Sequence, residues 1–280
     1  MKGRFKLHKF ILNQREVIEA IPVGQLAKEI KELDMTKDLL PIKRALGVHR
    51  FVESNELHFR AELKDRPLTR RGILSTASSV YDPLGLAAPF VLQGKRILQG
   101  ICQDGAHWDD PEPDSVLMQW AKWREELGAL ARLKVPRCYK PIDFGEAESI
   151  ESHNFSDAST SGYGQCSYLR MINSRGKIHC ALVMDKSRVT PLKSTTVLRL
   201  ELTAALLSVK ISCFLKKELK FGAIPEVFWT DTEVVRGYVS NDSRRFHTFI
   251  ANRGQCIREY SEPHQWRRVD TKENPAEEAS

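Results

Sequence analysis

Four carboxylates in the second half of the chain stand in frames that could bring them to one point: Asp157 in HNFSDAST, Glu201 in VLRLELTAAL, Asp231 in VFWTDTEVV and Glu277 in ENPAEEAS. Hard divalent cations such as Mg²⁺ take oxygen ligands, and phosphodiester cleavage with two such ions needs several carboxylates converging. Three of the frames also have a plainer reading. Asp157 ends an alternating stretch, so it belongs on a strand, where a surface aspartate is as ordinary as a ligand. Glu201 falls one turn into a helical pattern, where the helix dipole alone favours an acid. Asp231 directly follows the apolar run VFW and could share with Thr232 the capping of the next helix. The end of a strand in an α/β protein is equally a place where ligand-binding groups gather.

The elements that must position these groups follow from periodicity. From about residue 150, HNFSDA, YGQCSYLRM and KIHCALVM alternate as three strands, with Ile178, Cys180, Leu182 and Met184 expected on one face of the third. A helix is expected over about 196–219, burying Leu198, Leu202, Leu206, Val209 and Cys213. Ala204, Ala205 and Ser208 lie at i+3, i+4 and i+7 from Glu201, a lane small enough for close approach to a sheet. EVFWT reads as a fourth strand, 243–260 as a helix with Phe246, Phe249, Ile250 and Ile257 on one face, and QWRRV as a last strand. This order predicts an α/β fold with a mixed sheet.

Upstream, residues 1–62 read as a small α+β piece: a strand over Phe5–Phe10, a helix from about Gln14, and a hairpin of ALGVHRFV and ELHFRAEL around Glu53–Glu56. Residues 63–146 read as helical. Asp82-Pro83-Leu84-Gly85 is a turn, Pro89 opens a helix reaching about Cys102, and Asp114-Ser115 starts another. Val116, Trp120, Trp123, Leu127 and Leu130 share one face of that second helix, expected as core or domain interface rather than a base-stacking platform. PRCYKPIDFGEAES reads as a linker, which sets the third region at 147–280.

With 280 residues, 41% of them apolar, the chain can bury a core or two; its net charge of +7 is spread evenly, so a nucleic-acid surface must be built by folding. The six cysteines form no CxxC pair and match no zinc-finger spacing with histidine, which suits reduced thiols in a cytoplasmic or nuclear protein. No run approaches the ~18 apolar residues of a membrane span.

Taken jointly, a strand aspartate, a helix glutamate and an aspartate after the next strand, across a β-β-β-α-β order, resemble type 1 ribonuclease H. The longer wording RRGILSTASSVYDPLGLAAPFVLQGKRILQ, WDDP, PRCYKP, VTPLK, RLELTAAL, FWTD, RRFHTFIANR, QWRRV and KENPAEEAS is similar to BEL/Pao-type LTR retrotransposon polyproteins over essentially the whole chain. The resemblance implies a ribonuclease H-like mixed five-stranded sheet with flanking helices, preceded by an α+β remnant of reverse-transcriptase thumb and connection. It implies Asp157, Glu201, Asp231 and Glu277 as ligands of Mg²⁺ or Mn²⁺ and cleavage of RNA in RNA–DNA hybrids by two-metal hydrolysis. Lys186, Arg188, Lys193, Arg199, Arg244 and Arg245 are the candidate phosphate contacts, with Ser159, Thr160 and Asn173 as polar candidates for reading 2′-OH groups. The polymerase part of such a polyprotein is a further expected partner. Glu277 stands where the family's NPAD motif has aspartate, and the chain stops soon after it, which raises the alternative of an inactive remnant that binds nucleic acid or protein without turnover. No YxDD motif is present for polymerisation and no DTG or DSG turn for aspartic proteolysis.

Overall fold

The computed structural model describes residues 9–33, 38–45, 48–59, 65–105, 107–220, 222–241 and 246–280. In chain order the elements are α1 (Arg15–Glu19), α2 (Lys28–Lys31), β1 (Ile42–Ala45), β2 (Val48–Phe51), β3 (Glu56–His58), α3 (Arg70–Ala77), α4 (Ala88–Gln103), α5 (Asp114–Leu130) and β4 (Lys134–Pro136). There follow β5 (Ala147–Ala158), β6 (Gly162–Asn173), β7 (Ile178–Val189), α6 (Val197–Leu219), β8 (Glu226–Thr230), α7 (Glu233–Ser240), α8 (Thr248–Tyr260) and β9 (Trp266–Arg268). They gather into two compact units, one from Met1–Leu63 with Arg124–Cys138, the other from Lys64–Trp123 with Tyr139–Ser280.

In the first unit β1, β2, β3 and β4 form an antiparallel sheet in that order. Ile18, Leu26, Ala27, Ile30, Leu40 and Val52 make its core. The expected hairpin is there, with β3 already begun at Glu56 and Asn55 in the left-handed region at φ 54°, a conformation asparagine tolerates. The strand expected over Phe5–Phe10 lies, apart from its last two residues, outside the described residues.

In the second unit the sheet order is β7-β6-β5-β8-β9: β7, β6 and β5 form an antiparallel meander, and β8 and β9 run parallel to β5. This is the mixed five-stranded, helix-flanked α/β sheet that the resemblance implies. Helix α6 lies across β5 and β6 through its small lane, with Ala204, Ala205 and Ser208 buried. The stripe expected from spacing is corrected at one end: Leu198 is 45% exposed, while Leu200 is buried against Ala158 and Tyr163. A helix that docks through its smallest residues turns its larger first-turn leucine outward.

A second correction concerns β7. Its alternation breaks at a bulge, where Ser167 pairs with Met184 but Tyr168 pairs with Leu182. Val183 and Met184 are both buried, whereas Ile178 and Cys180 are exposed. One extra residue flips the phase of a period-2 pattern, so a single-face reading across it fails. Helix α8 starts at Thr248, later than expected; residues 242–245 lie outside the described residues.

Helix α4 packs on β7, and the turn before it is fastened there. Asp185 N donates to Leu84 O at 2.8 Å, and the Asp82 carboxylate accepts from Leu86 N and Ala87 N at 2.9 and 2.7 Å. Gly85 has φ +76°, and a Cβ there would stand 1.9 Å from the Asp185 carbonyl oxygen. Gly85→Ala is therefore expected to cost about 2–3 kcal/mol from strain and backbone displacement together, read as a lower urea midpoint. Trp120 and Trp123 of α5 are buried and stacked at 4.7 Å, and Trp123 Nε1 donates to Phe90 O, so these two are core. Phe144, inside the expected linker, is buried, and its carbonyl accepts from Asn173 Nδ2. Among the described residues no helix is long and apolar enough to cross a membrane.

Candidate carboxylate site

Asp157 is the penultimate residue of β5, and Asp231 follows the last residue of β8. Because β5 and β8 are parallel neighbours, with Phe155 opposite Trp229, their C-terminal ends emerge side by side. Glu277 comes from the short 3-10 turn Pro275–Ala279, which Asn274 ties down: its Oδ1 accepts from Ala276 N, and its Nδ2 donates to Ser156 O at 3.2 Å. One carboxylate oxygen from each of Asp157, Asp231 and Glu277 lies within 4.8 Å of the others.

Glu201 stands beside this group and outside it. It is one turn into α6, with Oε2 buried and lacking a partner. Burial raises its pKa, Thr232 partly offsets this, and the charges of Asp231 and Asp157 add to the rise. Asp157 is also raised, first by burial, then by Asp231, against the lowering effect of a 2.6 Å hydrogen bond from Ser280 Oγ to its Oδ2. Glu277 is raised by burial and by Asp157 and Asp231. Asp231 accepts from Thr271 Oγ1 at 2.8 Å through Oδ2, while Oδ1 is buried without a partner. Neither Asp231 nor Thr232 caps α7 through its side chain. Mutually repelling carboxylates with two unsatisfied buried oxygens, and with no cationic partner among the described residues, fit a hard divalent cation.

The approach of the Glu277 segment depends on Gly164, the antiparallel partner of Asp157. A Cβ there would lie 2.5 Å from the Ala279 carbonyl oxygen and 2.8 Å from its Cβ. Gly164→Ala is expected to push the 275–279 turn off β6 and lower Mn²⁺ affinity at least about tenfold by calorimetry, since ligand placement is at stake. An unchanged affinity would show that the turn adjusts at no cost.

Of the six basic candidates, four are among the described residues. Arg188 and Lys193 are exposed, and Lys186 lines a cavity of about 320 Å³ with Asp82, Lys95 and Asp185. Arg199 is exposed, with its guanidinium 5.1 Å from the Phe249 ring centroid. Arg244 and Arg245 lie outside the described residues. Among the polar candidates, Asn173 is buried with its amide committed to Phe144 O, Arg175 N and Lys177 N, so it closes the β6–β7 turn. Ser159 Oγ accepts from Ser161 N and Gly162 N in the β5–β6 turn. Sequence reasoning missed Arg253, 3.5 Å from the Phe249 ring beside Arg199, and the hydroxyls of Thr271 and Ser280 on the carboxylates. Nothing in their spacing marks them, because all three act through folding contacts.

The curated-protein comparison gave no match. Among solved structures, the chain is similar to RNase H1 of the halophilic archaeon Halobacterium salinarum NRC-1, at 12% identity over 45% of this chain and 90% of that one, TM-score 0.31. LC11-RNase H1 in complex with RNA/DNA hybrid matches at 10% identity over 47% and 93%, TM-score 0.33. A foamy viral protease-reverse transcriptase in complex with dsDNA matches at 17% identity over 86% and 48%, TM-score 0.27. A family model described as Pao retrotransposon-like RNaseH-like domain matches residues 69–232, which contain Asp157, Glu201 and Asp231. That match takes in more than half of the chain, which therefore belongs to the Pao retrotransposon-like family of RNaseH-like domains.

Proposed function

We propose that this protein is a metal-dependent endonuclease that hydrolyses RNA in RNA–DNA hybrids. The observation that carries the reading is the convergence of Asp157, Asp231 and Glu277 within 4.8 Å at the ends of two parallel strands. These three, with the unpartnered Glu201 Oε2 beside them, would hold Mg²⁺ or Mn²⁺. When bound, the cation supplies Lewis-acid stabilisation of charge on phosphate oxygens.

The chain's own part is position and exclusion. Strand ends fix Asp157 and Asp231 on rigid backbone, and the small lane of α6 sets Glu201 against the sheet. Arg199 and Arg253 share the Phe249 ring on the face of α6 and α8 and present positive charge for phosphate contacts. Raised pKa values at Asp157, Glu201 and Glu277 mean that protons compete with the cation, so affinity for it rises with pH.

The test is a labelled RNA–DNA hybrid incubated with purified protein and Mg²⁺ or Mn²⁺, alongside the same sequence as single-stranded RNA and as duplex DNA. Cleavage confined to the RNA of the hybrid is expected. A hybrid that is bound but left intact sinks the reading.

A second reading, a nucleic-acid-binding module without turnover, draws on two observations. Glu201 is outside the 4.8 Å group, and Asp157 Oδ2 is engaged by Ser280. Hybrid binding that is unaffected by chelation, with no cleavage at any metal concentration, is its signature.

A further inference from the structure

We propose that Thr271 is a positioning residue for Asp231, a role that rests on the reading of the carboxylate group as a cation site. A carboxylate at the end of a strand can rotate about two side-chain torsions. A single donor on one oxygen fixes its plane and leaves the other oxygen for a ligand. Thr271 Oγ1 is that donor, at 2.8 Å from Oδ2, and Oδ1 is the oxygen left buried with no partner.

The hydroxyl is itself held by backbone on both sides. Val269 N donates to Thr230 O at 3.2 Å, next to Asp231, and Asn274 N closes the turn on Thr271 O at 3.1 Å. Asn274 then reaches Ser156 O, next to Asp157. The segment from Thr271 to Glu277 thus touches both strand ends: Thr271 orients one carboxylate, and Glu277 is delivered beside the other. Thr271 touches no reacting group in this arrangement, and its effect passes entirely through Asp231.

Valine has the shape of threonine without the hydroxyl, and serine has the hydroxyl without the methyl. Isothermal calorimetry with Mn²⁺ on the full chain is expected to give Thr271→Val an affinity about 10–100-fold below wild type. The metal-free melting temperature should stay the same, and Thr271→Ser should bind within about threefold of wild type. The proposal is overturned if Thr271→Val binds Mn²⁺ as tightly as wild type. It is equally overturned if Thr271→Ser loses as much as Thr271→Val, since the methyl packing would then be what counts. A wild-type chain with no affinity for Mn²⁺ instead removes the cation reading, and with it any role for Thr271.

Discussion

Asp157→Asn is expected to abolish cleavage of an RNA–DNA hybrid while leaving the fold intact, a loss of at least about a hundredfold in rate at saturating Mg²⁺. Asp157 is the most enclosed of the converging carboxylates: it lies on β5, between β6 and β8, and is 6% exposed. Asparagine keeps the volume and can still accept from Ser280 through its amide oxygen. It loses the negative charge, and with it the attraction for a divalent cation. Removing a charge that burial and Asp231 both oppose should also stabilise the metal-free protein. The signature is therefore opposed changes, a higher melting temperature without metal and no turnover with it. Cleavage at a tenth of the wild-type rate or better would mean that Asp157 does not hold the cation.

The second large effect lies on β7, an edge strand of the same sheet. Asp185 on β7 is raised to about 7, first by burial, then by the Asp82 charge, against lowering by the Lys186 backbone, Ser187 and the Lys186 charge. Its Oδ1 is buried without a partner. Asp82, Lys95 and Lys186 are the charged groups lining the cavity beside it. An aspartate whose folded pKa lies above its unfolded value of about 3.9 binds its proton more tightly when folded. Its contribution to stability is complete below pH ~4, is lost progressively as pH rises towards 7, and stays lost above that. Asp185→Asn keeps a neutral amide at all pH values. The variant should match wild type near pH 4 and exceed it at pH 8 by roughly 2–4 kcal/mol, taking each pKa unit as about 1.4 kcal/mol. Urea unfolding at the two pH values measures this. A difference between the proteins that does not change with pH would show that Asp185 is not the titrating group.

These two aspartates also mark how far residues can be read without coordinates. Asp157 and Asp231 announce themselves because the first closes an alternating stretch and the second follows the apolar run VFW, and strand ends are where parallel neighbours bring groups together. Asp185 comes directly after KIHCALVM, the run read as the third strand, and nothing in that pattern marks it. Its burial follows from the docking of the 82–85 turn, whose partner lies about a hundred residues away. The bulge at Val183 was equally hidden, since period-2 patterning carries no mark of where an extra residue will be absorbed.

By itself the sequence determined the order of strands and helices from Ala147 onward, the small lane that seats α6, the four candidate carboxylates and the family to which the chain belongs. Local periodicity and motif wording are properties of neighbouring residues, so they survive without a fold. Only the tertiary structure decided which carboxylates meet: Asp157 and Asp231 with Glu277, and Glu201 alongside. That grouping depends on a glycine opposite Asp157, an asparagine reaching back 118 positions to Ser156, and a threonine hydroxyl on Asp231. Distances of a few ångströms between residues far apart in the chain are set by packing, and packing is a property of the whole.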